Sequence, residues 1–327
     1  MMTDEKDQSV SNELPTGKNA HWERSVIEKL AFAAVTEQRR ARRWGIFFKS
    51  LLFVYLLAVL GVAMNPFGKS SLKTGTMHTA VVDVRGVISE TTATSASMII
   101  EGLKSAFDDE NTKGIILRMN TPGGSPVQSD YVYHEIRRMK KERPDLPIYA
   151  VVSDVCASGG YYIASAADKI FVNESSLIGS IGVIMNGFGF VNAMEKLGVE
   201  RRLLIAGDHK ALLDPFSAVS SEEKTHVQGL LTRVHEQFIN AVRAGRGDRL
   251  KNDPEIFSGL IWTGADSIEL GLADSVGNTR SVAKDIIGAE ELVNFTPREK
   301  LIDRLAGQVG VMMGRMFSEV TAVKMQF

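Results

Sequence analysis

Residues Tyr149–Ala167 read YAVVSDVCASGGYYIASAA, a β-rich run that ends in small residues and passes at once into a helical stretch. Ser158 stands at that junction. Free N–H groups at a helix start, together with the helix dipole, favour negative charge on an attacked carbonyl, so a nucleophile gains from this position. Gly159 and Gly160 allow a substrate backbone to approach closely. A serine here equally fits a plain helix N-cap, and this motif alone leaves both readings open.

One βα unit earlier, Asn120–Ser125 reads NTPGGS and again joins a strand to a helix. Such a turn can aim the Gly123 and Gly124 amides at an anion. No Walker lysine follows the glycines and the spacing is not GxGxxG, so nucleotide binding is not indicated. Two glycine-rich turns on successive βα units bring their amides to one sheet edge, as an oxyanion hole requires.

The pattern around these turns alternates between short β-rich runs and helical periods. Strands are expected at Ala80–Ile88, Gly114–Met119, Pro147–Ser153, Lys169–Val172 and Arg201–Ile205. Helices are expected at Ser95–Ala106, Pro126–Lys141, Gly159–Ala167, Val191–Leu197, Ser221–Arg246 and Arg280–Ile287, the long one opened by a Ser220/Glu223 capping box. This is an α/β domain with mainly parallel pairing, buried on both faces. A last helix is expected at about Arg298–Val320.

A serine nucleophile needs a base. None of the six histidines carries a local triad motif, and Ser158 is not in a GxSxG elbow. The loop Ala206–Phe216, AGDHKALLDPF, offers Lys210 instead. A lysine that acts as a base near pH 7 must give up about 4 kcal/mol of stabilisation of its ammonium form. The apolar Ala211, Leu212, Leu213, Pro215 and Phe216 supply a cover that excludes water. Ser70 and Lys73 match an S-x-x-K spacing but have no SDN or KTG partner. Cys156 reads as a small buried apolar residue rather than a thiol nucleophile.

Composition bounds the remainder. The 327 residues carry 38 Lys and Arg against 39 Asp and Glu, a net charge of -1, which removes any bulk electrostatic case for nucleic-acid binding. One cysteine excludes an intramolecular disulfide framework and a multi-cysteine zinc site. Trp44–Met64, WGIFFKSLLFVYLLAVLGVAM, has Lys49 as its sole charge, and roughly 20 residues span about 30 Å, the depth of a bilayer core. Arg39, Arg40, Arg42 and Arg43 precede it, so the N-terminus is expected in the cytoplasm and the remainder outside. The expected division is a cytoplasmic tail (1–43), containing a helix at about His21–Gln38, a transmembrane helix (44–64), a linker (65–77), a catalytic domain (78–290) and a C-terminal helical tail (291–327).

Five blocks in order resemble the signal peptide peptidase A family of membrane-anchored serine peptidases, in its short single-repeat bacterial form, and its SohB-like relatives. They are TPGGS (121–125), ASGGYYIASAAD (157–168), GSIGVI (179–184), the K-x-x-x-DPF loop (210–216) and WTGADSIELGLAD (262–274). The resemblance implies a fold like Clp protease and crotonase, with Ser158 as nucleophile and Lys210 as general base. It further implies an oxyanion hole from the Gly124 and Gly159 amides, Ser180 bonded to the base lysine, and no metal or cofactor. In such short forms the serine and lysine come from neighbouring subunits of a ring. The substrates implied are cleaved signal peptides and other hydrophobic peptides or membrane-associated proteins, degraded at the outer face of the bacterial inner membrane. Relatives often carry an aromatic where His209 precedes the lysine. Two other functions fit parts of the pattern: a crotonase-like acyl-CoA enzyme, and a catalytically silent membrane scaffold. The first requires a cytosolic nucleotide that an exported domain does not meet, and the second is disfavoured because serine and lysine are both present.

Overall fold

The β-rich runs are almost continuously apolar, and the pleat sends successive side chains to opposite sheet faces. Ala80, Val82, Val84, Ile115, Leu117, Met119, Ala150 and Val152 face one core, and Val81, Ile116, Val151 and Phe171 face a second. The period of two along each strand dictates this split. Both faces are covered, which suits a parallel sheet.

The structure is a computed structural model and describes residues 18–63 and 75–297. Its elements in chain order are α1 (Lys18–Ala63), β1 (His78–Arg85), α2 (Ala96–Phe107), β2 (Thr112–Thr121), α3 (Pro126–Glu142), β3 (Ile148–Ala157), α4 (Gly159–Ala164), β4 (Lys169–Val172), β5 (Leu177–Gly179), α5 (Val191–Leu197), α6 (Ser221–Arg246), β6 (Ile261–Thr263), α7 (Gly264–Glu269) and β7 (Ser275–Val276). A helical turn at Thr279–Ser281 widens into a π turn at Val282–Ile287 before β8 (Leu292–Asn294). The sheet runs β6-β5-β3-β2-β1-β8, and β4 joins β3 to β7. Pairing is parallel except between β5 and β6.

β3 decides where the site lies. Its first half pairs with β4 through Tyr149–Val151, and its second half with β5 through Val155–Ala157. The strand therefore outruns its expected end at Ser153 and delivers Ser158 directly from the sheet. The capping box expected at Ser220 and Glu223 is present at the start of α6.

Three expectations change. Arg201–Ile205 is not a strand: it has no sheet neighbour, and Leu204 is 97% exposed. The strands β5, β6, β7 and β8 are two or three residues long, too short for a periodic signal. The tail helix expected at His21–Gln38 and the apolar run after Trp44 form one continuous helix, α1. That helix belongs to a unit separate from residues 71–300. Its continuously described apolar side chains, Trp44–Val59, cover about 24 Å at 1.5 Å per residue. Among the described residues no helix is long and apolar enough to cross a membrane. Met64, linker residues 65–74 and the helix expected at Arg298–Val320 lie outside the described residues.

A buried ion pair ties α6 to the edge of the sheet. Arg246 is 1% exposed; its Nε donates to the Gly271 carbonyl (2.9 Å) and its Nη1 to Asp274 Oδ2 (2.8 Å). Burial opposes the charge on Asp274, but the Arg246 hydrogen bond and charge, with the Ile170 amide and Arg249, outweigh it and hold the carboxyl below its ordinary value of 3.8. A depressed carboxylate stabilises the fold above its unfolded pKa and loses that contribution as pH falls through the folded value. Asp274→Asn is therefore expected to cost about 3 kcal/mol at pH 7, because Arg246 is left buried without its counter-charge. The deficit shrinks on acidification below pH 3.8, which thermal melts of the two proteins across pH read directly.

Candidate active site

The turn after β3 is built against the turn after β2. At Gly123 a Cβ would lie 2.7 Å from the Ala157 carbonyl oxygen and 2.7 Å from Ser158 Cβ; at Gly124 it would lie 2.1 Å from the Ile88 carbonyl oxygen. Only glycine permits this backbone-on-backbone approach. Gly159 is equally constrained: a Cβ there would meet Ser129 Oγ at 2.4 Å and the Gly124 nitrogen at 3.3 Å. The Gly124 and Gly159 backbones are thus neighbours beside Ser158. The Gly124 amide has no protein acceptor among the described residues, and the first amide of α4 has none within its helix.

Ser158 has φ 51° and ψ −124°, one of three non-glycine residues with positive φ among those described. Such a conformation costs on the order of 1–3 kcal/mol and persists where the surroundings impose it. Here the Ser158 amide donates to the Gly179 carbonyl (2.8 Å) and the Ser158 carbonyl accepts from Tyr162 N–H (3.0 Å). Its hydroxyl makes no cap hydrogen bond to α4, so the plain N-cap reading fails. The half-buried Ser158 lines a cavity of about 450 Å³ together with Gly124 and Gly159.

Ser180 lies at the other end of the Gly179 contact. It also has positive φ (51°), and its amide donates to the Leu260 carbonyl (2.7 Å). The backbone brings Ser180 next to Ser158, although it does not line the cavity. Lys210 does not line it either. It is exposed in the turn Gly207–Asp214, its amide donating to the Gly207 carbonyl (3.1 Å). The loop is anchored downstream: Arg201 pairs with Asp214 (3.0 Å) and lies over the Phe216 ring (5.2 Å), and Phe216 stacks on Phe190. The DPF block therefore holds the loop in shape. Leu213, Pro215 and Phe216, expected to cover the lysine, are exposed within the single chain.

Cys156 is fully buried and burial pushes its thiol up, which keeps it protonated and unreactive. Ser70 and Lys73 lie outside the described residues. Among the described residues, no three His, Cys, Asp or Glu side chains are grouped to hold a metal ion.

Residues not singled out in the sequence also line the wall, Asp130 and Tyr131 of α3 and Gln237 and Phe238 of α6, beside Tyr162, Val183 and Ile184 from the quoted blocks. Their signal was present in part. Val234, Gln237 and Phe238 recur at i, i+3 and i+4, which puts them on one helix face.

The signature of peptidase family S49 matches residues 140–292, a span that holds Ser158, Ser180 and Lys210 but not Gly124. The chain is 38% identical over 213 residues to the Na(+)/H(+) antiporter NhaA of Brucella abortus, a match covering 65% of this chain and 29% of that protein. It is 31% identical over 242 residues to the putative signal peptide peptidase SppA of Enterococcus faecium, covering 71% of this chain and 70% of that one. With Protease 4 of Haemophilus influenzae it shares 30% identity over 219 residues, 66% of this chain and 35% of that protein. The chain thus spans less than a third of its Brucella relative.

Proposed function

The chain belongs to peptidase family S49, and on that premise we propose that it is a membrane-anchored serine endopeptidase with Ser158 as nucleophile and Lys210 as general base. One observation carries this most: Ser158 is held in a strained positive-φ conformation beside the Gly124 and Gly159 backbones, at a cavity. Neutral Lys210 takes the Ser158 proton, and the serine oxygen attacks a peptide carbonyl. The oxyanion forms against the Gly124 and Gly159 amides. The Lys210 ammonium then protonates the leaving amine, and water, deprotonated by the same lysine, clears the acyl-enzyme. Ser180 orients the lysine, consistent with its backbone position next to Ser158.

The lysine that serves a given Ser158 comes from a neighbouring copy in a ring. Two features support this. Lys210 is exposed and absent from its own chain's cavity, and the stretch from Ile184 to Val219 leaves large apolar side chains in water, Phe188 at 83% and Leu197 at 78%. Such a run is expected to lie against another surface. Subunit contact would cover Lys210 and exclude water from it.

The apolar run Trp44–Met64 of the sequence anchors the enzyme, with residues 1–43 in the cytoplasm and residues 78–290 as the catalytic domain outside. The exposed Arg39, Arg40, Arg42 and Arg43 before the apolar run support that orientation. Substrates are hydrophobic peptides released near the membrane, cleaved signal peptides among them. The detergent-solubilised full chain is expected to hydrolyse synthetic leader peptides to fragments, read by mass spectrometry. Intact leader peptide after prolonged incubation would refute the proposal.

A further inference from the structure

The cavity beside Ser158 has walls of aromatic and aliphatic side chains, among them Val127, Tyr131, Tyr162 and Phe238. Among the described residues that line it, Asp130 alone is charged. Its two oxygens are differently placed. Oδ1 accepts from the Tyr162 hydroxyl (2.8 Å) and stands 3.3 Å from Nε2 of the exposed His134. Burial first, and then the Asp130 carboxylate itself, push the Tyr162 phenol up, so that hydroxyl stays protonated and keeps donating. Oδ2 has no hydrogen-bond partner among the described residues. One oxygen is thus pinned while the other remains available to a ligand.

The carboxylate side chain is 41% exposed, so solvent reaches it. A peptide seated at Ser158 displaces that solvent. An apolar side chain then leaves Oδ2 desolvated and unpaired, which is costly, whereas a cation restores its partner. Lys and Arg suit the site because their methylene stems lie along apolar walls while the head group reaches a charge. An acidic side chain adds repulsion. We propose that Asp130 makes this cavity select peptides with Lys or Arg near the scissile bond, an assignment that rests on the serine peptidase reading above.

The test uses the full chain in detergent, carrying Ser158→Ala so that bound peptide is not consumed. Fluorescent peptides place Lys, or its uncharged isostere norleucine, at each position in turn. At one position Lys is expected to bind about 10-fold more tightly than norleucine. Adding Asp130→Asn, which keeps an acceptor for Tyr162, brings the ratio close to 1, and Asp130→Glu restores it. A ratio of 1 before the second substitution, or a preference that survives Asp130→Asn, overturns the assignment. Cleavage of the same peptides by the unsubstituted chain separates the two claims. Ser158-dependent cleavage with no Lys preference sinks the role of Asp130 alone, while absence of all cleavage sinks the peptidase reading with it.

Discussion

Ser158→Ala is expected to lower kcat/KM for peptide hydrolysis by at least about 1,000-fold while the protein stays folded. The size of the loss follows from removing the atom that forms the acyl-enzyme; what remains is the contribution of the oxyanion donors and of binding. The fold is spared because the hydroxyl caps nothing. Its cap bond to α4 is absent, and the backbone contacts that impose the positive φ run through the Ser158 amide and carbonyl, which alanine retains. Melting temperature should therefore move by no more than the change of under about 1 kcal/mol expected where no cap is lost. Residual hydrolysis within tenfold of the unsubstituted chain, in protein shown to be folded, would remove Ser158 from the mechanism.

The second large effect concerns Lys210. Lys210→Ala alone should be as inactive as Ser158→Ala, yet co-assembly of the two dead chains should restore part of the activity. In a mixed ring some intact serines border an intact lysine from the next copy, so recovery is partial. A site complete within each monomer gives no recovery. The two chains carry different tags, and the doubly tagged complex is purified and assayed on a leader peptide. An inactive but verified mixed complex would refute the sharing of the site between copies.

How far these claims were legible in the sequence differs by element. The turns at Ser158 and Gly124 were readable because glycine and small residues at a strand-to-helix junction mark a tight turn that another backbone approaches closely. Their mutual packing was not, since no local pattern states that Gly123 meets Ala157 across two βα units. The sheet could be read where strands are long enough to alternate, as in β1 and β2, and vanished in β5 to β8. Arg201–Ile205 misled because its apolar residues imitate a buried strand while they stay exposed in the single chain. Asp130 could not be distinguished by sequence from the charged residues on any solvated helix face. Its significance comes from the cavity wall around it.

Fluorophosphonate labelling of the detergent-solubilised full chain, followed by peptide mapping, tests Ser158 as the nucleophile most directly. A single adduct is expected on the peptide containing Ser158, lost in Ser158→Ala. A much weaker adduct is expected in Lys210→Ala, because the base that activates the serine is gone. An adduct mapped to Ser70 or Cys156, or undiminished hydrolysis by a chain that takes no label, would contradict the assignment of Ser158.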